Sequence, residues 1–259
     1  MFGFRRRSSD TRQAETRPDG PAPRIPAGQR IYAVGDVHGR LDLLDRLLAR
    51  IAEDIEAAPK LAHTLVMLGD YVDRGLESAG VIERLSAPPP PGIGLVCLKG
   101  NHEEVMLRFL DDLSVGPGWM RFGGLAALAS YGVRRPDGLS EEEWLQLAQE
   151  ELRRRLPPHH LAFLRHLRLH LAVGDYLFVH AGVRPGVPLA DQTAEDLLWI
   201  RDDFLKSEAE LGHVVVHGHT VSTAPEFRRN RIGIDTGAFA SGLLTCLVLE
   251  GEERRIITT

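Results

Sequence analysis

The chain has 259 residues, a formal net charge of −5 and 26% charged residues, which suits one sizeable domain with its own apolar core. That acidic balance argues against general nucleic-acid binding, and no apolar stretch is long enough to span a membrane, so a cytoplasmic location is expected. The two cysteines, Cys97 and Cys246, fall in apolar strand-like runs and read as reduced core residues.

Residues 1–29 mix Arg, Ser, Asp, Gly and Pro with little apolar content and are expected to be a disordered basic, Pro-rich tail. Its basic start has no apolar region after it, so a secretory signal is not expected. The catalytic domain is expected over 30–259. Ile31–Val34 reads as a buried strand running into Gly35-Asp36-Val37-His38-Gly39. A helix follows from Arg40 to about Ala57, with Leu41, Leu44, Leu48, Ile51 and Ile55 on one face and Pro59 as its stop. A second buried strand, Thr64–Leu68, runs into Gly69-Asp70-Tyr71-Val72-Asp73-Arg74-Gly75, and a short helix spans about 76–85. A third strand, Gly94–Leu98, leads into Lys99-Gly100-Asn101-His102-Glu103 and another helix. This β-α-β-α-β-α order predicts a largely parallel sheet with the site at the carboxyl ends of its strands.

From about 114 to 170 the rhythm breaks into a helical insertion, with a capping box at Ser140–Glu143 and a stop at Pro157-Pro158. His159, His160, His166 and His170 lie there without ligand spacing and read as ordinary helix and surface histidines. The basic triplet Arg153–Arg155 spreads around its helix, and the aromatics Trp144 and Phe163 suit a cap and a core. Both features favour an open substrate site. A hairpin then ends at His180. Thr193 caps a short helix ending near Arg201, and Val214–Val216 precedes His217-Gly218-His219. Hairpin strands close the chain.

Three strand ends thus deliver Asp, His, Asp, Asn and His to neighbouring loops. Hard oxygen donors mixed with imidazoles are what a two-metal phosphoester site requires, and Asp70, on the middle strand, is the candidate for a carboxylate bridging both ions.

These residues resemble the phosphoprotein phosphatase (PPP-type) metallophosphoesterases, whose pattern is GDxHG, GDxVDRG and GNHE, then a His-bearing turn and a late GH turn. Here they stand at Gly35–Gly39, Gly69–Gly75, Gly100–Glu103, His180-Ala181-Gly182 and Gly218-His219. Val221 stands where other metallophosphoesterases carry the second His of GHxH, which favours the PPP-type branch. The resemblance implies an α/β fold, a four-layer α-β-β-α sandwich of two mixed sheets. It implies that Asp36 and His38 hold a first divalent ion, Asp70 bridges, and Asn101, His180 and His219 complete a second. His217 competes with His219 for that position and is assigned to hydrogen bonding behind the ligands. The two ions are expected to be manganese, with iron or zinc open. His102 and Asp73 match the family's acid pair, while Arg74, Arg201 and Asn101 match its phosphate-binding groups. Glu103 reads as a first-turn helix carboxylate without a catalytic role. The implied activity is that of a protein serine/threonine phosphatase, in which a metal-bridging hydroxide attacks phosphorus directly and the substrate is a phosphoprotein or phosphopeptide. The alternative is a symmetrical diadenosine-tetraphosphate hydrolase acting on a dinucleoside polyphosphate. A non-enzymatic binding module is the remote third reading.

Overall fold

The apolar runs at 31–34, 64–68 and 94–98 become three adjacent parallel strands, β1 (Gln29–Val34), β2 (Ala62–Met67) and β3 (Ile93–Cys97), in a computed structural model that describes residues 22–259. Their register pairs Val34 with Met67 and Met67 with Cys97, so the three strands end level and their loops rise from one edge. Helices α1 (Leu41–Glu56), α2 (Ser78–Ser86) and α3 (Asn101–Phe109) follow these strands in turn. The insertion is helical: α4 (Gly116–Trp119), a wider turn over 120–124, α5 (Leu125–Ser130), α6 (Glu141–Arg155) and α7 (Pro158–Arg165). Ser140 and Glu143 satisfy each other's backbone N–H at the start of α6, as a capping box does.

A second sheet takes β4 (His170–Val173), β5 (Tyr176–Val179), β6 (Val214–His217), β7 (Glu226–Phe227) and β8 (Arg231–Gly233), in the order β4-β5-β6-β8-β7. Between β5 and β6 lie α8 (Ala194–Trp199) and α9 (Asp202–Leu205), and α10 (Ala238–Ser241) follows β8. The last strands, β9 (Thr245–Glu250) and β10 (Glu253–Thr258), return to the first sheet, whose order is β10-β9-β1-β2-β3. Strands β5, β6 and β8 are mutually parallel, so this sheet also sends three strand ends to one edge.

Alternation along the strands builds the layers. Ile31, Ala33, Val66 and Leu68 meet Tyr176, Phe178, Val216 and Ile232 between the sheets. Tyr32, Val34 and Met67 face outward onto Leu44 and Leu47 of α1, Ile82 of α2 and Met106 of α3. On the far side, Leu177, Val179 and Val215 pack on Leu197 and Phe204. The result is a four-layer α-β-β-α sandwich of two mixed sheets.

The expected tail needs a shorter bound. Residues 1–21 lie outside the described residues, but Ile25 is buried between the sheets and its N–H donates to the Gly251 carbonyl at 2.8 Å. One isoleucine among prolines gives no periodic signal, which is why composition grouped it with the tail. The helix expected to end near Arg201 stops at Trp199, leaving Arg201 (φ −131°, ψ −100°) in the turn before α9. Arg201 is therefore not at the carboxyl end of α8 but caps the start of α9, its carbonyl accepting the Phe204 and Leu205 N–H groups. Both cysteines are free, Cys246 fully buried and Cys97 partly. Among the described residues no helix is long and apolar enough to cross a membrane.

Candidate active site

The loops after β1, β2 and β3 are welded to one another by backbone. The Asp70 carbonyl accepts the N–H groups of Val37 and His38 at 3.1 and 2.8 Å, and the Gly39 N–H donates to the Tyr71 carbonyl at 2.8 Å. The Glu103 carboxylate accepts four backbone N–H groups, those of Asp70, Tyr71, Val72 and Gly100, at 2.7–3.1 Å. It brackets the second loop to the third. Among the described residues, the non-glycine residues with positive φ are His38, Asp70, Asp73, Arg74 and His219, all of them expected site residues. Left-handed backbone costs a side-chain-bearing residue roughly 1–3 kcal/mol and persists where surrounding structure enforces it. Two glycines are explained by close approach: a Cβ on Gly100 would lie 2.1 Å from Asp70 Oδ1, and one on Gly218 would lie 2.1 Å from Asp36 Oδ1.

Asp36, His38, Asp70, Asn101, His180 and His219 meet where the six strand ends converge, and all are buried. His180 donates Nδ1–H to the Leu68 carbonyl at 2.9 Å. Its Nε2 lone pair therefore faces Asn101 Oδ1 at 3.0 Å and Asp70 Oδ1 at 3.4 Å. His38 likewise gives Nδ1–H to the Val72 carbonyl at 2.8 Å and turns Nε2 on Asp70 Oδ2 at 3.5 Å. Acceptors turned on one another repel unless a cation lies between them, and these separations leave room for one at about 2.1 Å from each. His38 Nε2 and His219 Nε2 have no hydrogen-bond partner among the described residues. Burial pushes the pKa of His38 down to about 3 and that of His219 down to about 2, and it lowers His180 as well. Neutral imidazoles with free lone pairs are the ligating form. Burial works to raise Asp70, but His180, His102 and His38 around it hold it below the usual carboxylate range. Two triplets of atoms that could hold a metal, His38–Asp70–His102 and Asp70–His180–His219, share Asp70, the first counting His102 where the motif pattern puts Asp36. The donor set fits two divalent ions.

His102 Nδ1 donates to Asp73 Oδ2 at 2.6 Å, and Trp119 Nε1 donates to the same oxygen at 2.8 Å. Burial disfavours the His102 imidazolium, but Asp70 and Asp73 outweigh it and raise its pKa above the ordinary value. Arg74 Nη2 lies 3.2 Å from His102 Nε2, and its guanidinium stacks on the Phe239 ring at 4.5 Å. A cavity of about 470 Å³ opens above His102, Asn101 and His219, with Arg74 and Arg201 among its walls. Val105, Val115, Trp119, Phe122 and Trp199 supply its apolar lining.

A sequence model of the family described as calcineurin-like phosphoesterase matches residues 29–238. The chain belongs to that family. Among relatives, the symmetrical bis(5'-nucleosyl)-tetraphosphatase of Acidovorax ebreus (strain TPSY) is 33% identical over 172 residues, covering 65% of this chain and 47% of that protein. Serine/threonine-protein phosphatase 2 of Escherichia coli (strain K12) is 29% identical over 226 residues, covering 84% of this chain and 91% of that protein. The chain thus spans about half the length of the symmetrical tetraphosphatases it matches. In fold it is similar to the cold-active protein-tyrosine phosphatase of a psychrophilic Shewanella, with a TM-score of 0.55 at 18% identity over 92% of this chain and 82% of that one. PPP-type membership accords with the phosphatase relative.

As a calcineurin-like phosphoesterase the chain holds groups that motif reading passed over. Glu103 carries the bracket described above. Asp235, buried just past β8, turns its carboxyl toward that of Asp36. Its signal was available: Ile232-Gly-Ile-Asp235 is another apolar run ending in Asp. Trp119 and Phe122 open the insertion and line the cavity, whereas Trp144 is buried in the core and Phe163 packs 6.1 Å from Tyr71. Reading the aromatics as Trp144 and Phe163 alone therefore undercounted the site. The basic triplet makes no clamp: Arg153 donates to the Leu110 carbonyl, and Arg154 and Arg155 to Glu151. His159 and His160 both reach Glu83 Oε2 at 2.8 Å, tying α7 to α2 away from the cavity. His217 accepts from Arg231 at 3.5 Å and donates to the Gly218 carbonyl at 3.1 Å, behind the ligands.

Proposed function

We propose that the chain is a metal-dependent phosphomonoesterase acting on phosphoserine and phosphothreonine in proteins. The observation that carries this reading is the cation count at the cavity, where Arg74 and Arg201 are the basic side chains in the lining apart from the histidines. Two guanidiniums match one phosphoryl group. A dinucleoside polyphosphate carries charge on every phosphate, and those beyond the reach of the two ions and the two guanidiniums would face the apolar lining. The alignment with the Escherichia coli phosphatase over 91% of its length supports the same reading.

The divalent ions that Asp36, His38, Asp70, Asn101, His180 and His219 would hold supply Lewis-acid polarisation and an activated water, with manganese preferred and iron or zinc compatible with the donors. Arg74 passes from His102 to the phosphoryl oxygens when substrate enters, with Arg201 and Asn101 at the same cavity wall. That move frees His102 Nε2 to carry a proton to the leaving serine or threonine oxygen. Asp73 holds Nδ1–H throughout, fixing the ring's orientation and stabilising its charged form. Val105, Val115 and Trp119 keep bulk water from the transfer.

A second reading is favoured by the exposed faces of Trp199 and Phe122 at the cavity mouth, on which a purine can stack, and by the 33% identity to a symmetrical tetraphosphatase. It makes the chain a hydrolase of dinucleoside polyphosphates. The deciding measurement is kcat/KM for a phosphothreonine peptide and for diadenosine tetraphosphate with Mn2+. A preference for the peptide is expected, and a strong preference for the dinucleotide would establish the second reading instead. Release of neither phosphate from the peptide nor nucleotide from the dinucleotide would return the chain to a binding module.

A further inference from the structure

We propose that Asp235 is a third carboxylate of the first metal position, where with Asp36, Asp70 and His38 it raises affinity for a hard divalent cation. The inference rests on the two-ion reading of the site. Asp235 lies just past the carboxyl end of β8, parallel to β6 and so level with the loop carrying His219. Its backbone is held from both sides: its carbonyl accepts the Ser222 N–H at 3.0 Å, and Gly35 closes on the preceding peptide so tightly that a Cβ there would lie 2.8 Å from the Ile234 carbonyl oxygen. Oδ1 accepts the Gly237 N–H at 2.8 Å. Oδ2 is buried and has no partner among the described residues.

A buried carboxylate oxygen with no donor is costly. Here the cost is compounded, because the neighbouring group is the carboxyl of Asp36 and the next is that of Asp70. A purely structural residue in that place would be better as Asn, which keeps an acceptor for Gly237 and brings no like charge. A cation between the carboxylates turns the liability into binding energy. It also makes the two positions chemically unequal. The Asn101–His180–His219 side offers neutral donors beside the shared Asp70, while the Asp36–His38 side would hold three carboxylates, a harder and more oxygen-rich set suited to manganese or magnesium.

The test is Asp235→Asn, with Asp235→Ser as a second variant that retains an acceptor for the Gly237 N–H. Each is titrated with Mn2+ by calorimetry and by the paramagnetic resonance of the free ion. The wild-type protein is expected to bind two Mn2+. In both variants one of the two is expected to weaken by roughly 10–100-fold while the other keeps its affinity. Metal-free Asp235→Asn is expected to melt no lower than the metal-free wild type, because a buried like-charge contact is gone. Wild-type affinity for both ions in the variants would overturn the inference, as would a lower metal-free melting temperature with both Mn2+ affinities intact. A wild-type protein that takes up no Mn2+ would overturn the two-ion reading along with it.

Discussion

Asp73 Oδ2 receives both the His102 Nδ1–H and the Trp119 indole N–H. A single carboxylate oxygen thus orients the proposed acid and is itself fixed by an aromatic from the insertion. Replacing His102 with Asn is expected to leave metal content and folding intact while slowing phosphopeptide hydrolysis by about 10²–10⁴-fold, the range for a lost general acid. For nitrophenyl phosphate, whose leaving group hardly needs a proton, the loss should be far smaller. Equal losses on the two substrates would show that His102 is not the acid. Trp119→Phe keeps the ring against Phe109, 4.9 Å away, and deletes only the N–H. It should reproduce the same leaving-group dependence at a smaller scale, about tenfold on the phosphopeptide, for one lost hydrogen bond to a charged group. A matching loss on nitrophenyl phosphate would assign Trp119 to packing instead.

At the level of elements, the parallel strands and their loops were legible because apolar runs ending in Gly-Asp or Gly-Asn announce both a strand and its site residues. Legibility failed where the signal is tertiary. Asp235 ends an equally apolar run, but it earns meaning only when β8 is placed beside β6, opposite β1. Glu103 looks like a helix-start carboxylate, and its four backbone partners lie mostly on another loop. The same holds for Asp54, which reads as a solvated helix charge. Its Oδ2 takes the Tyr32 hydroxyl at 2.7 Å, Arg30 Nη1 at 2.9 Å and the Arg255 guanidinium, joining α1 to β1 and β10. Burial pushes its pKa up, but the hydrogen bonds from Arg255 and Tyr32 outweigh that and hold it below the usual carboxylate range. A depressed carboxylate contributes stability that is complete above the unfolded value and is lost as pH falls through the folded one. Asp54→Asn should therefore cost about 1–2 kcal/mol near neutral pH. That gap should persist down to about pH 4 and close below it. Urea midpoints from pH 7 to pH 3 measure it, and a gap constant down to pH 3 would show that the effect is not electrostatic.

Taken as a whole, the molecule uses two sheets to force carboxylates, imidazoles and left-handed backbone into one cleft, and without ions that cleft opposes folding. Asp36 shows the opposition, since burial and then the charges of Asp235 and Asp70 raise its pKa well above the ordinary range. The five positive-φ residues add their strain at the same place. Ions that bind the folded state alone return this cost, each by about 2.7 kcal/mol when present at a hundredfold excess over its dissociation constant. Two such sites give roughly 5 kcal/mol, or a rise of about 10–20 °C in melting temperature for a domain of this size. Thermal unfolding after chelation and after stepwise return of Mn2+ measures the rise. Asp70 contacts both ligand triplets, so Asp70→Asn should abolish most of the shift, whereas His38→Ala should remove the part belonging to one ion. Elemental analysis on the same samples ties melting to occupancy. Two fully retained ions in Asp70→Asn would sink the bridging role, and a melting temperature indifferent to Mn2+ in the wild type would mean that the cleft's strain is balanced by packing alone.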